Sequence, residues 1–312
     1  MARTADDGAT AHPEVVQAII QYLKDFGIKK INIIESSGIG NNTMRAFKNC
    51  GYEDLSKKYN IPLIDLKSDS SSVRKCGEYS IEICNEALNT DFLINVAVLK
   101  AHCQTQLTCC MKNLKGCIPD SEKRRFHSLG IHRPTAALNA LLKTGYCVVD
   151  GICGDLTFEE GGNPIEGNRI IVGQNPLTVD SFCAELIGYR PDEIEYLTYG
   201  KKLGVGEYYN SDDIVELNPQ NKPVLKVKSN RIAQRYKNII NEDSACSVCY
   251  SSLVYALHRL GSRIRLDGTI HIGQGYKGKS GTGTGIGNCA LGFTKCVSGC
   301  PPKAIDIIKE LR

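Results

Sequence analysis

No apolar run in this sequence is long enough to cross a bilayer. The longest, such as Phe92 to Leu99, have the length of a strand and fall far short of the ~20 residues a membrane helix needs. A secretory start is missing as well: Met1 to Thr10 is polar and acidic, without the basic opening and apolar stretch of a signal. These absences exclude a helical membrane span and set the expectation of a cytoplasmic protein. Charge of one sign is also scarce. The formal net charge is +4 over 312 residues, which does not supply the concentrated basic surface of a nucleic-acid binder. Basic residues thicken between Lys222 and Lys237, with Lys226, Lys228, Arg231 and Arg235 between them. That stretch reads as a solvated connecting segment or as a docking patch for an acidic electron-transfer partner. The loop Ser36 to Thr43 follows a strand and precedes a helix, but it lacks the lysine of a Walker loop and the full dinucleotide fingerprint. A plain turn is expected there.

Cysteine, by contrast, is abundant. The chain has 15, an odd number, and a disulfide framework is not expected in a reducing compartment. Metal or cluster ligation is then the leading explanation for some of them, and so many free thiols suit an organism that sees little oxygen. Apolar residues make up 42%, enough for a real core.

Local pattern predicts an α/β protein with a mostly parallel sheet flanked by helices. Pro13 opens a helix in which Val15, Val16, Ile19, Ile20 and Leu23 recur at helical spacing. Strands are expected at 30–35, 61–65, 92–99, 146–150 and 169–172, and helices from about Met44, over 107–115, 134–143 and 176–187. After about residue 210 the texture changes: Asp212, Asp213, Pro219 and Pro223 break the pattern, and Val224 to Val227 is strand-like. A boundary near residue 215 divides an α/β domain, 1–215, from a small Gly/Cys-rich module, 216–312.

That module carries Cys246-x-x-Cys249 and, after a gap, Cys289, Cys296 and Cys300-Pro301-Pro302. Cys246 and Cys249 fall at the start of a helix running to Leu260, where two thiolates can face one cluster corner and the helix N-terminus keeps them ionised. Cys300 followed by Pro301 resembles the last ligand of bacterial ferredoxin runs. The intervening glycines let backbone approach closely, and cluster sulfides accept backbone N–H bonds. A [4Fe–4S] cluster held by Cys246, Cys249, Cys289 and Cys300 is the expectation. Zinc is the rival, since a CxxC followed by a later cysteine group is also a zinc pattern. Between Cys289 and Cys296 the spacing favours Cys296, whereas the flexible approach Gly285-Ile-Gly287-Asn288 favours Cys289.

In the larger domain, the strand ending near Leu99 delivers Lys100 and His102 to its carboxyl end, where open α/β sheets bind ligands. Thr108, Lys112 and Asn113 follow. Lys100, His102 and Lys112 together read as an anion or carboxylate site, or else as ordinary strand-end polar residues. His127 and His132 either join them or serve as structural hydrogen-bonders. Asp150 ends a second strand and is expected to counter a lysine or hold a metal. Cys103, Cys109, Cys110, Cys117, Cys147 and Cys153 cluster nearby in sequence; buried structural thiols are the expectation, with a second metal site as the alternative.

The segments Asn95 to His102 and Leu107 to Gly116 resemble the domain-of-unknown-function family numbered 362, which shows an N-v-P-k-l-K-t-H segment and then l-T-g-x-l-K-N-l-x-G. Lys123 with His127, Asp150-Gly151, Gly161 to Pro164 with Gly167, and Asn175 to Asp180 extend the likeness. Ala97 stands where that family has proline, Cys109 and Cys110 where it has small or aliphatic residues, and its opening Lys-Pro-Asn strand has no counterpart before Pro13. The tail, Ala245 to Cys249 and Gly299 to Pro302, resembles one branch, in which a cysteine follows the G-I-G segment. The resemblance implies kinship with ferredoxin-like iron–sulfur modules and implies no reaction. The combined expectation is a redox enzyme passing electrons from the cluster to a small anionic substrate. The alternatives are a non-enzymatic electron carrier or metallocentre-assembly partner, and a zinc-stabilised ligand-binding protein.

Overall fold

The computed structural model describes residues 3–157, 163–218 and 232–312. Within them the chain forms two compact units: 3–37, 41–119 and 132–218 make the first, and 38–40, 120–131 and 232–312 the second. The division is therefore not a single cut in the sequence, because two short body segments cluster with the C-terminal residues.

In the first unit, helix α1 (Pro13–Asp25) starts on a proline, whose missing N–H is unneeded in a first turn. Its buried Val16 and Ile20 pack with Leu55 and Ile61. Strand β1 (Ile33–Glu35) leads to α2 (Thr43–Asn49), capped by Asn42, whose Oδ1 accepts the Arg45 N–H at 2.8 Å. Helix α3 (Tyr52–Tyr59) and strand β2 (Leu63–Asp65) follow, and β2 pairs parallel to β1. Strands β3 (Ser71–Cys76) and β4 (Tyr79–Cys84) form an antiparallel hairpin that buries Ile81 and Ile83. After α4 (Asn85–Leu88) come β5 (Ile94–Val98) and a second antiparallel hairpin, β6 (Lys100–His102) with β7 (Gln106–Thr108). The short helix α5 (Cys110–Asn113) is next. Helix α6 (Asp120–Ser128) belongs to the second unit. The first unit resumes with α7 (His132–Leu141), β8 (Tyr146–Asp155), β9 (Pro164–Gly173), α8 (Pro176–Leu186) and α9 (Glu195–Lys202).

Strand β8 is the centre of a three-stranded sheet, parallel to β5 and antiparallel to β9. It is buried along nearly its whole length, as a strand covered on both faces must be. Leu107, Met111, Leu177, Tyr196 and Leu197 share the core with Cys147 and Cys183. Each fully buried large apolar side chain stabilises such a core by roughly 1.5–3 kcal/mol.

The second unit adds α10 (Ile232–Arg235), β10 (Ile240–Glu242), α11 (Ser247–Leu260), β11 (Ile270–Ile272), β12 (Ser280–Ile286), β13 (Gly292–Val297) and α12 (Ala304–Glu310). Its four strands are all parallel and lie in sequence order. Helix α11 makes the crossover from β10 to β11, burying Leu253, Val254 and Leu257. From β12 to β13 only the single 3-10 turn Asn288–Ala290 intervenes, and the chain runs back beside the strand it has left. A Cβ on Gly285 would stand 1.8 Å from the Ala290 carbonyl oxygen, so the return leg requires glycine there. This is a structural cause for part of the glycine enrichment of the segment.

The fold is a mixed α/β one, less parallel than the sequence pattern predicts. The parallel pairs are β1/β2, β5/β8 and the whole second-unit sheet; β3/β4, β6/β7 and β8/β9 are antiparallel. Strand β9 returns antiparallel to β8 as a hairpin arm. The helix expected over 107–115 is broken: Leu107 pairs in β7, Cys109 is extended, and helical geometry begins at Cys110. The strand expected at Val224 to Val227, the basic residues Lys222, Lys226, Lys228 and Arg231, and Gly161 with Gly162 lie outside the described residues. Among the described residues no helix is long and apolar enough to cross a membrane.

Candidate functional site

Cys246 is the N-cap residue of α11, extended at φ −66°, ψ 139°, and its carbonyl accepts the N–H groups of Cys249 and Tyr250, both at 3.0 Å. The two cysteines thus flank the first turn of a 14-residue helix, whose exposed N–H groups favour a thiolate. Ser247 meets His127 Nε2 at 3.5 Å, and the Gln274 amide donates to the Arg124 carbonyl at 3.0 Å. Those contacts tie α6 to the α11 end of the second unit and give His127 a structural partner.

Cys289 and Cys300 sit on two loops clamped to each other. The Gly299 N–H donates to the Asn288 side-chain oxygen at 2.6 Å, and the Asn288 N–H donates to the Gly299 carbonyl at 3.0 Å. The Gly287 N–H reaches the Val297 carbonyl at 2.8 Å. The clamp also adjoins the helix: a Cβ on Gly287, whose φ is +87°, would lie 3.5 Å from the Gly299 oxygen and 4.0 Å from Cys249 Sγ. Cys249, Asn288-Cys289 and Gly299-Cys300 are therefore neighbours. Cys246, Cys249 and Cys289 are half-buried and Cys300 is exposed. Cys296 lies in the middle of this order on β13, exposed, on the face opposite the buried Val297. Among the described residues, no three of these cysteines come within 4.8 Å of one another. Donors on one tetrahedral zinc would stand about 3.8 Å apart, given bonds near 2.3 Å. The C-terminal set is spaced more widely than one ion requires.

In the first unit, Lys100 and Thr108 pair across the β6/β7 hairpin, and Thr108 Oγ1 accepts the Lys112 ammonium at 3.4 Å. Lys100 Nζ donates to the Ala9 carbonyl at 3.0 Å. His102 is buried, and its Nδ1 accepts the Gln104 and Thr105 N–H groups, both at 3.0 Å. That assigns its proton to Nε2. His132 opens α7, and its ring stacks on Tyr196 at 6.4 Å. Burial holds its pKa below the ordinary histidine value; Glu195 opposes the shift and Lys112 adds to it. Lys112, Thr108 and His132 are thus brought together, with Lys100 across the hairpin.

The turn carrying Lys112 is held from three sides. The Asp180 carboxylate accepts the Cys110 and Met111 N–H groups at 2.8 and 3.0 Å. The Asn95 amide donates to the Cys110 carbonyl at 2.8 Å, and Asn113 donates to Asn95 Oδ1 at 2.9 Å and to the Val96 carbonyl at 3.1 Å. Asn139 donates to the Met111 carbonyl at 2.8 Å. The asparagines of the sequence motif are scaffolding, each satisfying backbone groups that burial would otherwise leave without a partner.

Two features escape sequence reasoning. Asp150, fully buried, binds the His12 N–H at 2.6 Å and His12 Nδ1 at 2.7 Å, and it accepts the Ile152 N–H at 3.0 Å. Its partner is a histidine 138 positions away, with no local signal to connect them. The other is a fully buried group, Cys109, Cys110 and Asp180, whose ligand atoms all lie within 4.8 Å of one another. The sequence leaves a second metal site as the alternative for Cys109 and Cys110; what it does not supply is Asp180 of α8 as their partner. The loop Ser36 to Thr43 is a self-tied turn: Ser37 Oγ bonds the Asn41 carbonyl at 3.3 Å and Thr43 Oγ1 at 3.1 Å.

Residues 1–185, more than half of the chain, match the family described as Domain of unknown function (DUF362). The chain is similar to a thylakoid-associated protein of Synechocystis sp., with 26% identity over 177 residues, covering 56% of this chain and 54% of that protein. The chain thus spans about half the length of that curated relative. No solved structure matches it.

Proposed function

The chain belongs to the DUF362 family, and from that premise we propose that it is an iron–sulfur redox protein whose second unit holds one [4Fe–4S] cluster on Cys246, Cys249, Cys289 and Cys300. The observation that carries the proposal is the Asn288–Gly299 clamp, which sets Cys289 and Cys300 side by side next to the head of α11. The set has no carboxylate and is partly open to solvent, and no three of its cysteines come within 4.8 Å of one another among the described residues. Those traits fit a cluster better than zinc. When bound, the cluster supplies one-electron transfer. The protein's own part is to keep four thiolates ionised, through the α11 N-terminus, and to offer backbone N–H groups from the glycine-rich segment.

In the first unit, Lys100, His102 and Lys112 serve a small anionic substrate, with Lys112 supplying the buried positive charge and Thr108 orienting it. Electrons reach the cluster from an electron-transfer protein in a reducing cytoplasm. The deciding experiment is metal and sulfide analysis of protein prepared without oxygen. About four iron and four sulfide per chain are expected. Colourless protein with stoichiometric zinc at the C-terminal cysteines and no sulfide would overturn the reading. A Lys112→Ala variant should weaken anion binding while its iron content stays unchanged.

A further inference from the structure

The first unit contains a group of ligating atoms that the cluster reading does not use. Cys109 and Cys110 stand at the head of α5, while Asp180 and Cys183 lie one helical turn apart on one side of α8. Cys147 comes from the central strand β8. All five are fully buried, at 0% exposure. Cys109 has Cys110, Cys183 and Asp180 as hydrogen-bond neighbours, and Cys110 has Cys147.

Asp180 decides how the group is to be understood. Each of its oxygens accepts one backbone N–H, and the Cys109 side chain is a further hydrogen-bond neighbour. Among the described residues no lysine, arginine or histidine forms an ion pair with it. A carboxylate with no counter-charge in an apolar core must take up a proton or a cation. A cation there would find the sulfur atoms of Cys109 and Cys110 within 4.8 Å of the carboxylate.

We propose that Cys109, Cys110, Asp180 and Cys183 bind one thiophilic divalent ion of the zinc class as a closed structural site. The ligand atoms of Cys109, Cys110 and Asp180 already lie within 4.8 Å of one another. For these three, closing to the ~3.8 Å separation of donors on a tetrahedral zinc takes a contraction of about 1 Å; Cys183, a hydrogen-bond neighbour of Cys109, lies outside that group and has farther to move. The backbone N–H groups of Cys110 and Met111 hold the carboxylate in place from behind, as outer partners of metal ligands do. Binding displaces to solvent the thiol protons of Cys109, Cys110 and Cys183 together with the proton that the metal-free Asp180 carboxyl holds. Three thiolates and one carboxylate around a divalent ion then carry the same formal charge as a four-cysteine zinc site. With no path to solvent, the ion enters as the chain folds and staples α5 to α8. This inference is independent of the cluster, which uses other cysteines in the other unit.

The test uses the full chain carrying Cys246→Ser and Cys249→Ser, so that the C-terminal set is disabled, folded in the presence of Co²⁺. One cobalt per chain is expected, with the strong near-ultraviolet absorption of thiolate-to-cobalt charge transfer. Adding Cys109→Ala should abolish that absorption, and adding Asp180→Asn should weaken cobalt binding at least tenfold. A cooperatively folded protein that holds neither cobalt nor zinc overturns the proposal. So does cobalt retained undiminished after Cys109→Ala together with Cys183→Ala. Should the alanine variants fail to fold, the chain carrying only Cys246→Ser and Cys249→Ser decides: unfolding and refolding it with a chelator must lower its Tm, and an unchanged Tm overturns the site. Iron and sulfide measured on the unmodified chain read the other site separately.

Discussion

Cysteines gather in two places in this protein, and the two gatherings are built in opposite ways. In the first unit, Cys109, Cys110, Cys147 and Cys183 are sealed from solvent, come from a turn, a helix and a strand, and surround a carboxylate. In the second, Cys246, Cys249, Cys289 and Cys300 are half-buried or exposed, come from a helix head and two clamped loops, and have no carboxylate among them. The first set is positioned by the packing of the core, so anything done to it is felt as stability. The second is positioned by a helix head and a few loop hydrogen bonds, so on the cluster proposal anything done to it is felt first in cluster content. One residue type therefore serves two purposes, and what decides between them is the burial and spacing of the frame.

The comparison breaks if changes in one region are read out in the other. The largest effect is expected from Cys249→Ala, which should remove most of the iron and sulfide from anaerobic protein while moving the urea midpoint little. The matched change in the first unit is Asn95→Leu. It removes the Asn95 amide that donates to the buried Cys110 carbonyl and the oxygen that takes one of the two Asn113 amide bonds, the other staying on the Val96 carbonyl. Buried groups left unsatisfied cost about 1–3 kcal/mol each, so roughly 2–4 kcal/mol of stability should be lost with iron per folded chain unchanged. Equilibrium unfolding and iron analysis on both variants give a two-by-two result. If Asn95→Leu loses iron in its folded fraction, the regions are coupled and the contrast drawn above is wrong.

A smaller effect sharpens the C-terminal half. Cys289 follows Asn288, which is bonded twice to Gly299, whereas Cys296 lies exposed on β13 away from the buried face. Cys289→Ser should lower cluster content or its persistence in air, and Cys296→Ser should leave both nearly unchanged. Electron paramagnetic resonance of the reduced protein would follow the change. The opposite ranking would move the fourth ligand to Cys296 and bring the module closer to the ferredoxin pattern.

What was legible in the sequence was mostly local. The helix at Pro13, the strands ending at Glu35, Asp65 and Val98, and the helix opened by Pro176 follow from capping residues and short apolar runs. The hairpin of Ser71 to Cys84 was not read, although Ile81 and Ile83 alternate with polar residues. The direction of β9 was not read either, because an apolar strand pattern carries no information on which way its neighbour runs. At the sites, the motif residues Lys100, His102 and Lys112 were visible as types at a strand end. The roles of Asn95 and Asn113 as backbone clamps were not, since each depends on which buried carbonyl stands opposite. The pairs His12–Asp150 and Asp180–Cys110 join residues far apart in the chain, and no local pattern announces them.

The smallest effect expected is a titration. His132 lies in the first unit beside Lys112 and against Tyr196, and among the described residues its Nδ1 is buried without a hydrogen-bond partner. Burial, with Lys112 adding to it, depresses its pKa below the ordinary value, Glu195 pulling the other way. The folded chain therefore keeps this imidazole neutral at a pH where the unfolded chain, with a pKa of about 6.5, has begun to protonate it. Across that window the unfolded state binds more protons, so stability rises with pH and falls as the pH drops below about 6.5 toward the folded value. His132→Phe retains a ring against Tyr196 and removes the titration, so its urea midpoint should fall less between pH 7.5 and pH 5.5 than that of the unmodified chain. Equal slopes in the two proteins would mean that His132 exchanges its proton as freely folded as unfolded. In that case the region around Lys112 would be wetter than its burial indicates, and a desolvated anion site there would lose its physical basis.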